Sequence, residues 1–387
     1  MVSCALLLAT ACEHLGPSPP QLRSFPSAAK RPKPEIVSRR VIAEKGGPVD
    51  WCAEKNILAY ANEIDRSRSE IYTVGADGSE RRCITCGNKL LTKNLKRGLK
   101  GDRGRFYRTA PAWHPSCGFL VIEIGNAKFR PSVHERFPWG INHGLWLIAA
   151  DGSWAEPIVE VGETEAAMRP HFSDSGDRLF WSTRERTPEV VKQGVVLRTP
   201  GAQNPWDGWY LTIADFEKPD TGSAILSNRV ELFRGEVGWF GAAALSSDTI
   251  WFSRTERKGH FIDQLRRSGV DGSKVQTLLA SPKSWEDQGE PSPWGSLLTF
   301  RSSKPYGWST IQGMVGALRL ELWALTRDGE TVEITHFNKP VRSTRRAMVL
   351  DYAWGPRGRQ IAVYTAVYEM GVKPRHFVEI LTLNADF

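Results

Sequence analysis

A short pattern returns at intervals along the chain: an aromatic or apolar residue, a tight turn of Ser, Pro, Asp and Gly, then a strand of alternating apolar residues. It reads PVDWCAEKNILAYANE from Pro48, APAWHPSCGFLVIEIG from Ala110, MRPHFSDSGDRLFWSTR from Met168, GAAALSSDTIWFSRT from Gly241, GEPSPWGSLLTFRSS from Gly289 and DYAWGPRGRQIAVYT from Asp351. Hairpins follow most of these segments, marked by Asp77-Gly78, Asp151-Gly152, Asp271-Gly272 and Asp328-Gly329, with Asp215 in the third unit. Asp-Gly between apolar runs is a strong hairpin signal, because Gly accepts a positive φ and Asp caps its own turn. Short apolar runs separated by turn residues, without sustained 3.6-residue periodicity, make the chain all-β.

A unit of three or four short strands cannot bury both faces alone, so such units stack around an axis. Six units of roughly 55 residues fit the 387-residue chain. The sixth unit ends at Phe377–Thr382 without an outer strand, whereas Ile36–Ala43 is a strand with no partner nearby in sequence. Pairing the two would close the ring and remove two sheet edges. The expected fold is therefore a six-bladed β-propeller over residues 35–387, closed by the N-terminal strand in the C-terminal blade. Three units depart from the pattern: Trp51-Cys52-Ala53-Glu54 replaces the first turn, the fourth turn lacks Pro and Gly, and Asp215-Phe216 replaces the third Asp-Gly. Five or seven blades are the alternatives these departures leave.

The phrases AADGS, APAWHPSCG, RPHFSDSGDRLFWS and AWGPRGRQIAVYT resemble the TolB-like propeller repeat. The resemblance covers about Gly47 to Phe387, implies the propeller architecture, and implies no particular activity, since one fold hosts many functions.

Before the repeats, MVSCALLLATAC resembles a bacterial lipobox with Cys12 as the lipidated residue, although it lacks a basic start and has Ala three before the Cys. A plain export signal and a disordered cytosolic N-terminus are the alternatives. Residues 13–34 follow as a tether, with Pro17, Pro19, Pro20, Pro26, Pro32 and Pro34 keeping it extended. The expected location is extracytoplasmic, periplasmic or at the outer membrane, with a lipid anchor.

The net charge of +8 is concentrated in two places. Lys89, Lys93, Lys96, Lys100, Arg97, Arg103, Arg105 and Arg108 face only Asp102, and the tail adds Arg23, Lys30, Arg31, Lys33, Arg39 and Arg40. The remainder is near balance, which argues against nucleic-acid binding. The 89–108 stretch reads as a solvated insertion, with an anionic membrane surface as the functional alternative.

Cys52, Cys83, Cys86 and Cys117 permit three pairings if oxidised, as an exported protein would be. A zinc site and reduced thiols are the other readings of Cys83-Ile84-Thr85-Cys86. The histidines form no metal-binding helix motif, and neither a Gly-x-Ser-x-Gly elbow nor a phosphate loop is present. His171 stands just before its unit's leading aromatic, where a propeller strand nears the central channel. With His143 it could serve a metal-dependent polysaccharide lyase, an activity known on a similar propeller; structural histidines are the plainer reading. We expect a monomeric, non-catalytic propeller without cofactor or metal that binds an envelope protein or glycan. Its candidate surface is Arg108, Trp139, His143, Arg169, His171, Trp206, Trp239, Trp285 and Gln288. The alternative is a lyase or hydrolase with its site in the central channel.

Overall fold

The computed structural model describes residues 32–65, 68–88, 91, 107–125, 142–162, 165–185, 191–192, 195–196, 208–236, 238–256, 262–307, 318–339 and 345–387. Cys12, the tether up to residue 31, Trp139, Trp206 and most of the basic stretch lie outside them.

Six four-stranded antiparallel sheets follow one another along the chain. From the innermost strand outward, blade 1 is Gly46–Cys52, Ile57–Asp65, Arg68–Gly75 and Arg82–Cys83. Blade 2 begins at Arg108–Trp113, blade 3 at Ala166–Phe172, blade 4 at Phe240–Leu245 and blade 5 at Glu286–Pro291. Blade 6 runs Arg346–Trp354, Gln360–Tyr368 and Arg375–Leu383, and Ile36–Ala43 completes it. That last pairing is antiparallel, with Ser38 opposite Thr382 and Arg40 opposite Ile380, and Arg39 is ion-paired to Glu379 at 2.6 Å. The expected closure is thus observed, and the blade number is six.

The irregular turns have local explanations. Asn56 (φ 53°) in blade 1 and Cys117 (φ 54°) in blade 2 take the left-handed position that Gly176, Gly295 and Gly358 occupy in blades 3, 5 and 6. In the third unit the strand runs past Asp215 to Glu217, because Phe216 is buried between blades 2 and 3. The Asp-Gly-Ser hairpins share one device: Asp77, Asp151 and Asp271 each accept the backbone N–H two residues on, at 2.8–2.9 Å.

Each of six apolar clusters straddles one blade boundary. Phe180, Trp209 and Leu211 of blade 3 meet Trp239, Phe240 and Phe252 of blade 4, for example, and Leu265 and Leu278 of blade 4 meet Phe300 and Trp323 of blade 5. The alternating apolar strands therefore bury both faces only by stacking against neighbours. Two disulfides form, Cys52–Cys117 joining blades 1 and 2 and Cys83–Cys86 within the first unit. This selects one of the three pairings that the sequence left open.

Candidate functional site

The six inner strands converge on a polar hub. Every one of them breaks register with its second strand at mid-length, and such bulges re-aim side chains. At the breaks in blades 2, 3 and 5, Ala110, Arg169 and Gln288 have φ of 43°, 53° and 55°. Positive φ is rare for residues with a Cβ, and at these positions it turns consecutive side chains toward the axis.

A ring of hydrogen bonds runs around this hub, one across each blade boundary. Trp113 N donates to Asp50 (2.6 Å), Arg169 N to Glu123 (2.7 Å), Ala242 N to Ser182 (2.8 Å) and Gln288 N to Ser253 (3.0 Å). Arg301 donates to the Leu350 carbonyl, and Val49 N to Asp351 (2.9 Å), which closes the circle. Glu123, Ser182 and Arg301 occupy equivalent places, each opposite the residue just before the bulge, and Ser253 lies opposite Gly241, one residue earlier.

Inside the ring lies a cavity of about 170 Å³ to which all six blades contribute, among them Asp50, Glu123, His143, Arg169, His171, Gln288, Glu290, Arg301 and Asp351. Burial pushes the Asp50 carboxyl up to about 6 against the pull of the N–H groups of Trp113 and Trp51, and the Asp351 charge adds to the rise. Glu290 is raised well above the ordinary range by burial and by the charges of Asp50 and Asp351. Burial also raises Asp351, while bonds from Val49 and Gln288 and the charges of Arg301 and Arg169 hold it back. His171 is pressed down to about 4 by burial and by Arg169, so it is neutral at physiological pH. Arg301 is committed to Asp287 through two bonds, one of 2.8 Å from Nε.

Of the nine residues expected to form a binding surface, the structure brings four together in this cavity: His143, Arg169, His171 and Gln288. Arg108 is buried instead in an ion pair with Glu70. Trp239 is buried beneath the Arg169 guanidinium, 5.1 Å from the ring centroid, and so supports the cavity from behind. Trp285 is half-buried, its backbone N–H donating to Ser303 Oγ at 2.9 Å, and does not line the cavity. Sequence reasoning missed Asp50, Glu123, Glu290, Arg301 and Asp351. A usable signal existed: His171 immediately precedes the leading residue of its turn, and the same position holds Asp50 before Trp51 and Glu290 before Pro291.

Among the described residues, three metal-ligand side chains come within 4.8 Å of one another only at Glu70, Cys83 and Cys86, and there the two sulfurs are joined to each other. His143 and His171 line the cavity without meeting a third such group at that distance; His143 Nδ1 instead lies 3.3 Å from Glu123.

No protein-family model matches the chain, and no curated protein matches it. Several solved structures are similar to the chain, at TM-scores below 0.5. A TolB-type protein from Agrobacterium tumefaciens is 14% identical at a TM-score of 0.45, covering 76% of this chain and 83% of its own. An oligogalacturonate lyase in complex with manganese is 11% identical at 0.47, covering 90% and 95%. A puromycin hydrolase is 14% identical at 0.46, covering 87% of this chain but 44% of its own length. No activity passes from these proteins to this one.

Proposed function

We propose that the protein is an exported, non-catalytic propeller that holds a saccharide of the cell envelope in its central cavity. The observation that carries this reading is the set of hydrogen-bonding side chains lining the hub beyond those the ring uses: His143, His171, the Arg169 guanidinium and the Gln288 amide. At about 170 Å³ the cavity is smaller than the ~300–1,000 Å³ of drug-sized sites, which suits one sugar ring at a chain end. The two disulfides support export, since such bonds persist in oxidising compartments. Attachment through Cys12 belongs to the same proposal; labelling with radioactive palmitate tests it, and unlabelled protein with Cys12 intact removes it.

The binding test is a thermal-shift and calorimetry screen of envelope saccharides against wild type and Arg169→Ala. We expect saturable stabilisation by a mono- or disaccharide, weakened in the variant. Stabilisation by none, together with capture of a specific envelope protein, would replace this reading with a protein-binding one.

One observation favours a second reading, hydrolysis or elimination in the same cavity. The Asp50 carboxyl, at about 6, lines the same cavity as the neutral His171 and falls in the range used for proton transfer. New reducing ends or unsaturated products from a bound saccharide, lost in His171→Asn, would establish it.

A further inference from the structure

The cavity is rich in acceptors and short of donors, and this limits what can sit there. Four carboxyl groups line it, those of Asp50, Glu123, Glu290 and Asp351, against the guanidinium groups of Arg169 and Arg301. Arg301 is already spent on Asp287 and the Leu350 carbonyl. The Tyr352 hydroxyl is committed to two backbone carbonyls, Thr299 O at 2.8 Å and Gln288 O.

Gln288 then provides an independent indication. Its side chain is nine-tenths buried and lines the cavity. Its Nε2 donates to Asp351 Oδ1, and because a carboxylate only accepts, that bond fixes which end of the amide is the carbonyl. The carbonyl oxygen, Oε1, is buried without a hydrogen-bond partner. A buried acceptor left unpaired is costly, and here it stands two residues from Glu290 and bonded to Asp351, both carboxyl-bearing. The missing element is a group with several donors, no acceptor and a positive charge. A primary ammonium has those properties.

We propose that the cavity selects a ligand bearing a primary ammonium group, held by Asp351, Glu290 and the side-chain carbonyl of Gln288. This rests on the saccharide reading above and names the class, an amino sugar with its amine free. The positive charge relieves the repulsion among Asp50, Glu290 and Asp351, so binding releases a proton from the acid cluster. A bare metal ion fits less well, because these carboxylates do not bring three oxygens within 4.8 Å of one another. The Arg169 side, over Trp239, faces the sugar's hydroxyls rather than its amine.

The test is isothermal titration of the full chain, at mildly acidic pH, with D-glucosamine, D-glucose, N-acetylglucosamine, cyclohexylamine and calcium chloride. Glucosamine should bind at least about ten-fold more tightly than glucose or N-acetylglucosamine, with a heat that changes with buffer ionisation enthalpy as protons leave. Asp351 also pins Val49, so its substitution risks the fold. Gln288→Met is the informative variant, expected to weaken glucosamine by about ten-fold more than it weakens glucose. Equal binding of all three sugars would overturn the ammonium assignment and leave the saccharide reading standing. Binding of cyclohexylamine and of no sugar would support the ammonium site and overturn the saccharide. Calcium displacing glucosamine, or no binding by any probe, would overturn the assignment.

Discussion

Asp50 gives the hub a pH dependence that one substitution can isolate. Its carboxyl is held at about 6 against an ordinary 3.8, and at 1.36 kcal/mol per pH unit this corresponds to about 3 kcal/mol. The folded protein keeps a proton that the unfolded chain has already released. Stability is therefore intact below the unfolded value and is lost as pH rises through the folded one. Because Asp50 borders the cavity, water there screens part of the effect, and about 3 kcal/mol is the upper figure. Asp50→Asn removes the titration, together with a constant cost for the weakened bond from Trp113. Urea unfolding of wild type and variant at several pH values between about 4 and 7 separates the two contributions. The variant-minus-wild-type difference should rise toward neutral pH by up to about 3 kcal/mol, and a difference that stays flat would refute the argument. His171→Asn is the control with opposite sign: with His171 at about 4 instead of 6.5, wild type loses stability as pH falls, so this variant's relative gain lies on the acid side.

Other consequences concern what holds the blades together. The Cys52–Cys117 bridge spans 65 residues and Cys83–Cys86 spans three, so the loop-closure relation gives about 4 kcal/mol for the first and under about 2 for the second. Paired Cys→Ser variants compared by chemical denaturation should reproduce that order. Asp287→Ala leaves Arg301 charged and unpaired at 5% exposure, which should cost about 3–5 kcal/mol, measurable as a fall in urea midpoint.

The architecture was legible because it rests on patterns the chain repeats. Aromatic–turn–strand phrases, Asp-Gly hairpins, a lone N-terminal strand and a C-terminal unit one strand short together pointed to six sheets and their closure. The hub was legible only in part. His171, Arg169, His143 and Gln288 stood out as unusual residue types in or next to a repeat, whereas Asp50 and Glu290 looked like ordinary turn-flanking acids. Their burial is a property of the ring, since it takes six inner strands to enclose a carboxyl that each blade alone would leave in water. Arg108 and Trp239 were misplaced for a related reason: a charged or aromatic residue beside a loop reads as exposed until its partner, Glu70 or Arg169, arrives from elsewhere in the chain. The irregular third turn was resolved by Phe216, whose burial between blades outweighs the missing glycine.

The strand Ile36–Ala43 finds its partner, Arg375–Leu383, across more than three hundred residues. Among the described strands, the first to leave a ribosome must therefore wait, unpaired, until the last has followed it. Five blades can assemble in order behind it, but the ring stays an open arc with two bare rims until Arg375–Leu383 has been made. Anything that grips Ile36–Ala43 on the way would govern when the hub, and the cavity inside it, comes into existence.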